Sequence, residues 1–404
     1  MRNLPGFLDG IVVLDFSRVL AGPFCTMTLA DLGARVIKIE SPEGDESRGM
    51  GPFIDGNSLY FASINRSKES VTINLKTPAG LELARSLSEK CDVLVENFRP
   101  GTMDRLGLGY DQIRKLNPSI VYASLSGFGH TGPYKDRGAY DVIIQAMSGL
   151  MGVTGSAGGP PTRVGASIGD LIPALYTATG ILAALNARHR DGTGCHLDIG
   201  MMDCVVSIME NALSRYWVTG NDPQPLGNRH PSIAPFSSFA VDDGVIVIAC
   251  GNNTLWRKLC GALESPHLAD DARFTTNSLR TENVVELTAE LETALAGRSV
   301  LECLDLLLGA GVPCSKIHSA SDLLNDPNLR ARNMIVEIDQ PGIGAMPVPG
   351  TPIKSDRFDD DVRNPAPQLG VHTRAVLSEL LDIDATELAK LERAGAIGPG
   401  TTED

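Results

Sequence analysis

The sequence predicts an α/β fold, with a doubly wound parallel sheet in its first half and a smaller α+β region after it. Three observations carry this. Short runs of β-forming residues alternate with helical stretches through the first two hundred positions. The first of these, Ile11-Val-Val-Leu-Asp-Phe16, a helix and Val36-Ile-Lys-Ile-Glu40 make a β-α-β unit. Beyond residue 236 the order changes to a hairpin followed by a run of helices.

Taken in order, Ile11–Phe16 is a continuous apolar run, as expected of a strand buried on both faces. Ser17–Pro23 is a turn, and residues 24–32 form a helix that stops near Gly33. Glu40 follows the turn at the spacing of a dinucleotide site, but the turn has no GxGxxG, so a nicotinamide site is set aside. Residues 42–70 are loop and short elements. Strands are expected at 71–75, 92–97 and 120–125, and helices at 77–90 and 139–148. The glycine- and proline-rich stretch 152–162 cannot pack as a regular element. A strand at 194–199 and a helix at 202–218 follow, then a linker at 219–236. The hairpin covers 237–249, with Asp242-Asp-Gly244 as its turn. Helices fill 254–309, a strand is placed at 312–317, and a helix at 373–391. The acidic run Asp359-Asp-Asp361 reads as a solvated loop.

A chain of 404 residues buries a large core and is expected to form two domains. A net charge of −14 argues against nucleic acid or an anionic membrane as partner. The eight cysteines show neither a CxxC pair nor metal-ligand spacing, so no metal is expected. They read as reduced thiols of a cytoplasmic protein. The first residues carry no signal-peptide run, and charges and glycines are expected to keep every apolar run short of a membrane span.

The stretch 163–189 holds the main chemical candidate. A glycine-bearing segment ending in Asp170 runs into a long apolar helix. Asp170 reads as the helix N-cap, with Pro173 in the first turn, where a proline forfeits no hydrogen bond. The helix dipole favours an ionised carboxylate there, and such a group is a possible nucleophile. On its own the stretch is better explained as a cap alone.

Other segments join it in one pattern. Leu14-Asp-Phe-Ser-Arg-Val-Leu-Ala-Gly-Pro23, Asp31-Leu-Gly-Ala-Arg-Val-Ile-Lys-Ile-Glu40, Asn65-Arg-Ser-Lys-Glu-Ser70, Val95-Glu-Asn-Phe-Arg-Pro-Gly101, Ser126-Gly-Phe-Gly-His-Thr-Gly-Pro133 and Gly165-Ala-Ser-Ile-Gly-Asp170 occur in the order found in class III (CaiB/BaiF-type) coenzyme A transferases. The chain resembles that family over nearly its whole length. Gly227-Asn-Arg-His-Pro-Ser-Ile-Ala-Pro235 and Ala249-Cys-Gly-Asn-Asn253 resemble its succinyl-CoA-dependent dicarboxylate branch, which acts on glutarate or itaconate.

The resemblance implies a Rossmann-like large domain and a small α+β domain in an interlocked homodimer of ring-like subunits. It places the large domain at 1–218, a linker at 219–236, the small domain at 237–325, and a returning C-terminal segment at 326–404. It implies Asp170 as nucleophile, working through aspartyl anhydride and aspartyl-CoA thioester intermediates, with the 152–162 and Gly251–Asn253 loops over the site. It implies coenzyme A contacts from Arg18, Leu20, Lys76, Asn97, Phe98, Arg105 and Tyr140. The coenzyme A thioester is a substrate, and no permanently bound cofactor is expected. Formyl-CoA transferase-like members differ at Arg18, Leu20 and Ser41. A dicarboxylate acceptor leaves one carboxylate unreacted, which calls for a cation. Arg48 and Arg66 are candidates beside Arg18, and His230 is a further substrate-binding candidate. Without the resemblance, each basic residue reads as a solvated surface charge, and His230 as a structural residue of a linker.

Two alternatives stay open. The 2-methylacyl-CoA racemases share the fold and the Asp, but pair it with a His, because proton exchange at one carbon needs an acid/base on each face. This chain has Tyr140 at that position, a poor base near neutrality. A non-catalytic CoA-binding scaffold is the other, against which the intact Asp170 stretch argues.

Overall fold

The computed structural model describes residues 6–358, 360 and 364–398. The N-terminal reading at Met1–Pro5 and the acidic residues Asp359 and Asp361 lie outside the described residues. Asp360 pairs with Lys354.

Two compact units are present, one of residues 1–150, 164–213 and 326–404, the other of 151–163 and 214–325. The first boundary is not at 218. It falls inside the helix Glu210–Thr219. The stretch 219–236 belongs to the second unit, where the Gly227 N–H donates to Gly155 O at 2.9 Å. Missing periodicity marks a segment as irregular, but not which core it packs on.

The first unit is built on six parallel strands, here numbered β1 (Val12–Asp15), β2 (Arg35–Glu40), β3 (Lys68–Thr72), β4 (Val93–Glu96), β5 (Val121–Ser126) and β6 (Cys195–Gly200). Their order is β3-β2-β1-β4-β5-β6, the doubly wound arrangement, with the direction of winding reversing between β1 and β4. Neighbouring residues of a strand feed opposite faces. Val13, Val36 and Val95 pack with Ala174, Ala178 and Ile181 on one face. Leu14, Ile37 and Leu94 pack with Leu83, Leu87 and the C-terminal Val376 and Leu377 on the other.

Most expected elements are present, with four corrections. The third strand is Lys68–Thr72 rather than 71–75, because its leading Lys68 is buried as an ion pair and so hides the strand from a hydrophobicity pattern. A helix, Tyr110–Leu116, stands where none was expected. The expected helices at 202–218 and 373–391 are each broken in two. The 24-residue helix Ile168–Asp191 is long and apolar enough, by length and composition, to cross a membrane. It is nevertheless part of the sheet core, through Ala174, Ala178, Ile181 and Leu185.

The second unit pairs the hairpin Phe236–Val241/Gly244–Ala249 with Cys314–Lys316 in an antiparallel sheet. Its core gathers Trp256, Phe274, Leu287 and Leu291. Arg280 is fully buried there and donates to Ala234 O, Phe274 O and Asn253 Oδ1 at 2.7–2.9 Å.

Candidate active site

In open α/β sheets, ligands bind at the carboxyl ends of the strands where winding reverses. Here that point lies between the ends of β1 and β4, and the turn after β1 is held rigidly. Val19 takes φ 66°, a left-handed conformation that a β-branched residue rarely adopts. Asn97, just after β4, accepts from the Arg18 N–H at 2.9 Å and donates to Arg18 O at 2.8 Å. Asp45 accepts from the Val19 N–H at 3.1 Å. A Cβ on Gly22 would come within 2.2 Å of Ser17 Cβ, so only glycine lets the next helix start this close.

Buried charge supports the turn. Lys68 Nζ lies 3.2 Å from Asp15, and Lys38 Nζ lies 2.8 Å from Asp45 and donates to Ser17 O. Burial works against every one of these ions. Against that burial, Lys68 and Lys38 hold the Asp15 carboxyl below its ordinary range. Burial drops Lys68 to about 8, limited by Asp15, so the pair is ionised at neutral pH. For Asp45, burial is likewise outweighed by Lys38 and the Ser47 hydrogen bonds, which leave it at about 2.

This network absorbs two of the arginines expected at the substrate. Arg66 is buried against Asp31 at 2.5 Å. Arg48 binds Glu40 through two nitrogens at 2.7 Å and lies 3.7 Å over the Phe61 ring. Neither lines the cavities described next. A charged residue in a polar loop looks free in sequence, whereas here each has a buried acid within reach. Arg18 is different. It is exposed, pairs with the exposed Glu46, and lies 5.1 Å over the Phe98 ring.

Two cavities flank the turn. One, of about 310 Å³, is lined by Phe16, Ile39, Lys76 and Leu106. The other, of about 300 Å³, contains Asp170 with Leu20, Asn97, Tyr140 and Met201. Arg18, Glu46 and Phe98 stand in the walls of both. Of the residues expected around coenzyme A, Arg105 alone stands in neither; it is exposed and bonds Thr102 Oγ1 at 3.0 Å. His230 lies in the second unit, where its Nδ1 accepts from the Ser232 N–H and its ring contacts Phe236.

Asp170 is the third residue of its helix, not the N-cap, which is Ser167. Pro173 is correspondingly inside the helix rather than in its first turn. The capping carboxylate comes from Asp141, whose Oδ1 accepts from the Gly169 N–H at 2.8 Å. Gln145 braces it by donating to Asp141 and accepting from the Val164 N–H. A Cβ on Gly169 would lie 2.8 Å from Asp141 O, so the glycine permits this seat. Asp170 therefore points from a first turn whose position is set by another acid. Its field reaches half-buried Tyr60, which burial first, then Asp170, Asp45 and Asp141, push up to about 12.

Three further residues of this wall were not singled out in the sequence. Arg99 and Arg137 line the Asp170 cavity, and neither has an ion-pair partner among the described residues. Arg137 rests on the Tyr134 ring at 3.8 Å. Ser126 ends β5 in the same wall. Arg99 and Ser126 sit inside recognisable motifs, but nothing in their spacing indicates that they face Asp170.

A carboxylate at a helix start thus opens on a cavity with exposed arginines at a doubly wound switch point, a setting that suits an anionic ligand. The chain matches the profile of CoA-transferase family III over residues 8–373, and it belongs to that family. It is an enzyme of the CoA-transferase class. It is 44% identical to the acetyl-CoA:oxalate CoA-transferase of Acetobacter aceti, covering 93% of this chain and 96% of that one. It is 39% identical to the succinyl-CoA:glutarate CoA-transferase of Mus musculus, covering 96% and 90%. The crystal structure of a CAIB/BAIF family protein from Brucella suis is similar with a TM-score of 0.82 at 40% identity, covering 94% of this chain and all of that one.

Proposed function

We propose that this enzyme moves coenzyme A from succinyl-CoA to a short dicarboxylate such as glutarate or itaconate, with Asp170 as nucleophile. The observation that carries this is the placing of Asp170 in a cavity whose wall shares Arg18 and Phe98 with the cavity at the switch point. The Asp170 carboxylate attacks the donor thioester, forming a mixed anhydride and releasing CoA thiolate. The thiolate attacks the aspartyl carbonyl, giving an aspartyl-CoA thioester and the free donor acid. The acceptor carboxylate then attacks that thioester, breaking its C–S bond to release CoA thiolate again and forming a second anhydride. Returning thiolate takes the new acyl group and regenerates Asp170. Each step preserves an activated acyl group that water would destroy.

Lys76, Asn97, Phe98, Leu20 and Tyr140 line the way for coenzyme A in this reading, and Arg18 is the remaining candidate of the original three for the unreacted carboxylate. The acetyl-CoA:oxalate relative favours a second donor–acceptor pair, so both belong in the test. We further infer a homodimer in the cytoplasm. The exposed Tyr216, Trp217 and Val218 of one helix support a second copy, and eight unpaired thiols support a reducing compartment.

Incubating the enzyme with succinyl-CoA or acetyl-CoA and a panel of carboxylic acids, with mass spectrometry of the thioesters, tests the reading. Glutaryl- or itaconyl-CoA made by the wild type, and reduced at least about 10⁴-fold in Asp170→Ala, is the expected result. Absence of any new thioester, with exchange of the α-proton of a 2-methylacyl-CoA, would establish the racemase alternative instead.

A further inference from the structure

Asp170 lies at a helix start, where main-chain N–H groups ordinarily stand ready for a negatively charged oxygen. In this helix they are already engaged. The Ile168 N–H donates to Ala166 O at 2.8 Å and the Gly169 N–H to Asp141 Oδ1 at 2.8 Å. The Asp170 and Leu171 N–H groups both donate to Ser167 O at 3.0 Å. These four N–H groups are therefore not free to meet an oxyanion formed beside Asp170.

The arginines of the cavity wall, Arg18, Arg99 and Arg137, are exposed and suit phosphate or carboxylate groups. The Asn97 amide already donates to Arg18 O. Ser126 is different. It is 6% exposed, and its Oγ has no hydrogen-bond partner among the described residues. Among the described buried side-chain atoms left in that condition, Ser126 Oγ alone belongs to a residue lining the Asp170 cavity. An unpartnered buried hydroxyl costs stability, and such groups commonly mark a role outside the fold itself. Its position is fixed by main chain, since Ser126 pairs in register with Gly200 of β6.

We propose that the Ser126 hydroxyl is a catalytic residue that donates a hydrogen bond to the acyl oxygen of the bound thioester as Asp170 attacks it. The inference rests on Asp170 being the nucleophile. An Asp170 carboxylate oxygen bonds to the acyl carbon, and the carbonyl electron pair moves onto the acyl oxygen. Ser126 donates to that oxyanion without giving up its proton. When the pair returns, the C–S bond breaks and coenzyme A leaves as thiolate. A donor that is buried and already in place acts where charge develops and need not reorganise as it does so.

The test compares wild type, Ser126→Ala and Ser126→Thr for kcat, thioester KM, CoA affinity by calorimetry, and Tm. Loss of one oxyanion donor is expected to lower kcat by about 10²–10³-fold. KM and CoA affinity are expected to stay within about threefold, because the bond forms in the transition state. The alanine variant is expected to melt no lower than wild type, since it removes an unpartnered polar group. The threonine variant, which keeps a hydroxyl, is expected to recover at least about tenfold over alanine. A kcat for Ser126→Ala within threefold of wild type overturns the inference. So does a fall in kcat accompanied by a lower Tm and weaker CoA binding, which would make the hydroxyl structural. In both cases an active wild type leaves the transferase reading standing; an inactive wild type overturns both.

Discussion

The two sides of the switch point bury acids in opposite ways. On the β1–β2–β3 side, Asp15, Asp45 and Glu40 meet Lys68, Lys38 and Arg48 at 2.7–3.2 Å. On the β4–β5–β6 side, Glu96 is 2% exposed and has no lysine or arginine partner among the described residues. Its Oε2 accepts from the Phe98 N–H at 2.8 Å, and Ser124 bonds it. The nearest imidazole nitrogen, His130 Nε2, is 3.8 Å away, and His196 is occupied with Ser124. Burial is the largest influence on both Asp45 and Glu96, yet the first is at about 2 and the second is pushed up to about 7. Asp104 and Asp198 add to the rise at Glu96. Burial sets the size of the penalty on a charge, and the partner decides whether the charge survives it.

The largest effect should come from breaking the paired side. Lys68→Ala leaves Asp15 buried beside a lost cation and is expected to cost about 3–5 kcal/mol in urea unfolding. A cost below about 1 kcal/mol would mean that the network contributes little. The unpaired side should show itself in pH dependence. Glu96 has its folded pKa raised from 4.5 to about 7, so the folded state holds a proton that the unfolded state releases. Stability is therefore expected to fall as pH rises between 4.5 and 7, by roughly 3 kcal/mol from this group. Glu96→Gln should flatten that limb, and an unchanged slope would contradict the shift. Asp45 works in the other direction: its contribution is present above 3.8 and is lost as pH falls towards 2. The smallest effect is expected at His130. Its ring nitrogen makes no hydrogen bond to Glu96, and its ring meets His196 edge-on at 5.7 Å. His130→Ala should cost about 1 kcal/mol or less. A loss comparable to that at Lys68 would show that an imidazolium does pair with Glu96, and would erase the contrast.

How far the site was legible follows the same division. Asp170 stood out because it begins the longest apolar helix and ends a motif. Asn97, Phe98 and Leu20 lie in motifs around the two turns, and they do line the cavities. Arg48 and Arg66 were misplaced because a charge in a polar loop carries no sign of the acid that neutralises it. In the sequence, Asp141 is only one residue of the helix expected at 139–148. Its role in capping the neighbouring helix depends on a contact 28 residues away in the chain. The strand at Lys68–Thr72 was displaced for a related reason: a buried lysine looks like surface until its partner is seen.

What the sequence determined by itself was the α/β alternation, the hairpin, the family and the candidate acid, Asp170, that the proposed function uses. Each of these rests on local patterns, on periodicity within an element or on residues adjacent in a motif. Only the tertiary structure decided which acid caps the Asp170 helix, which arginines remain in the wall, and which hydroxyl lacks a partner. Those outcomes depend on hydrogen bonds and ion pairs between strands and helices far apart in the chain, formed where burial makes an absent partner costly.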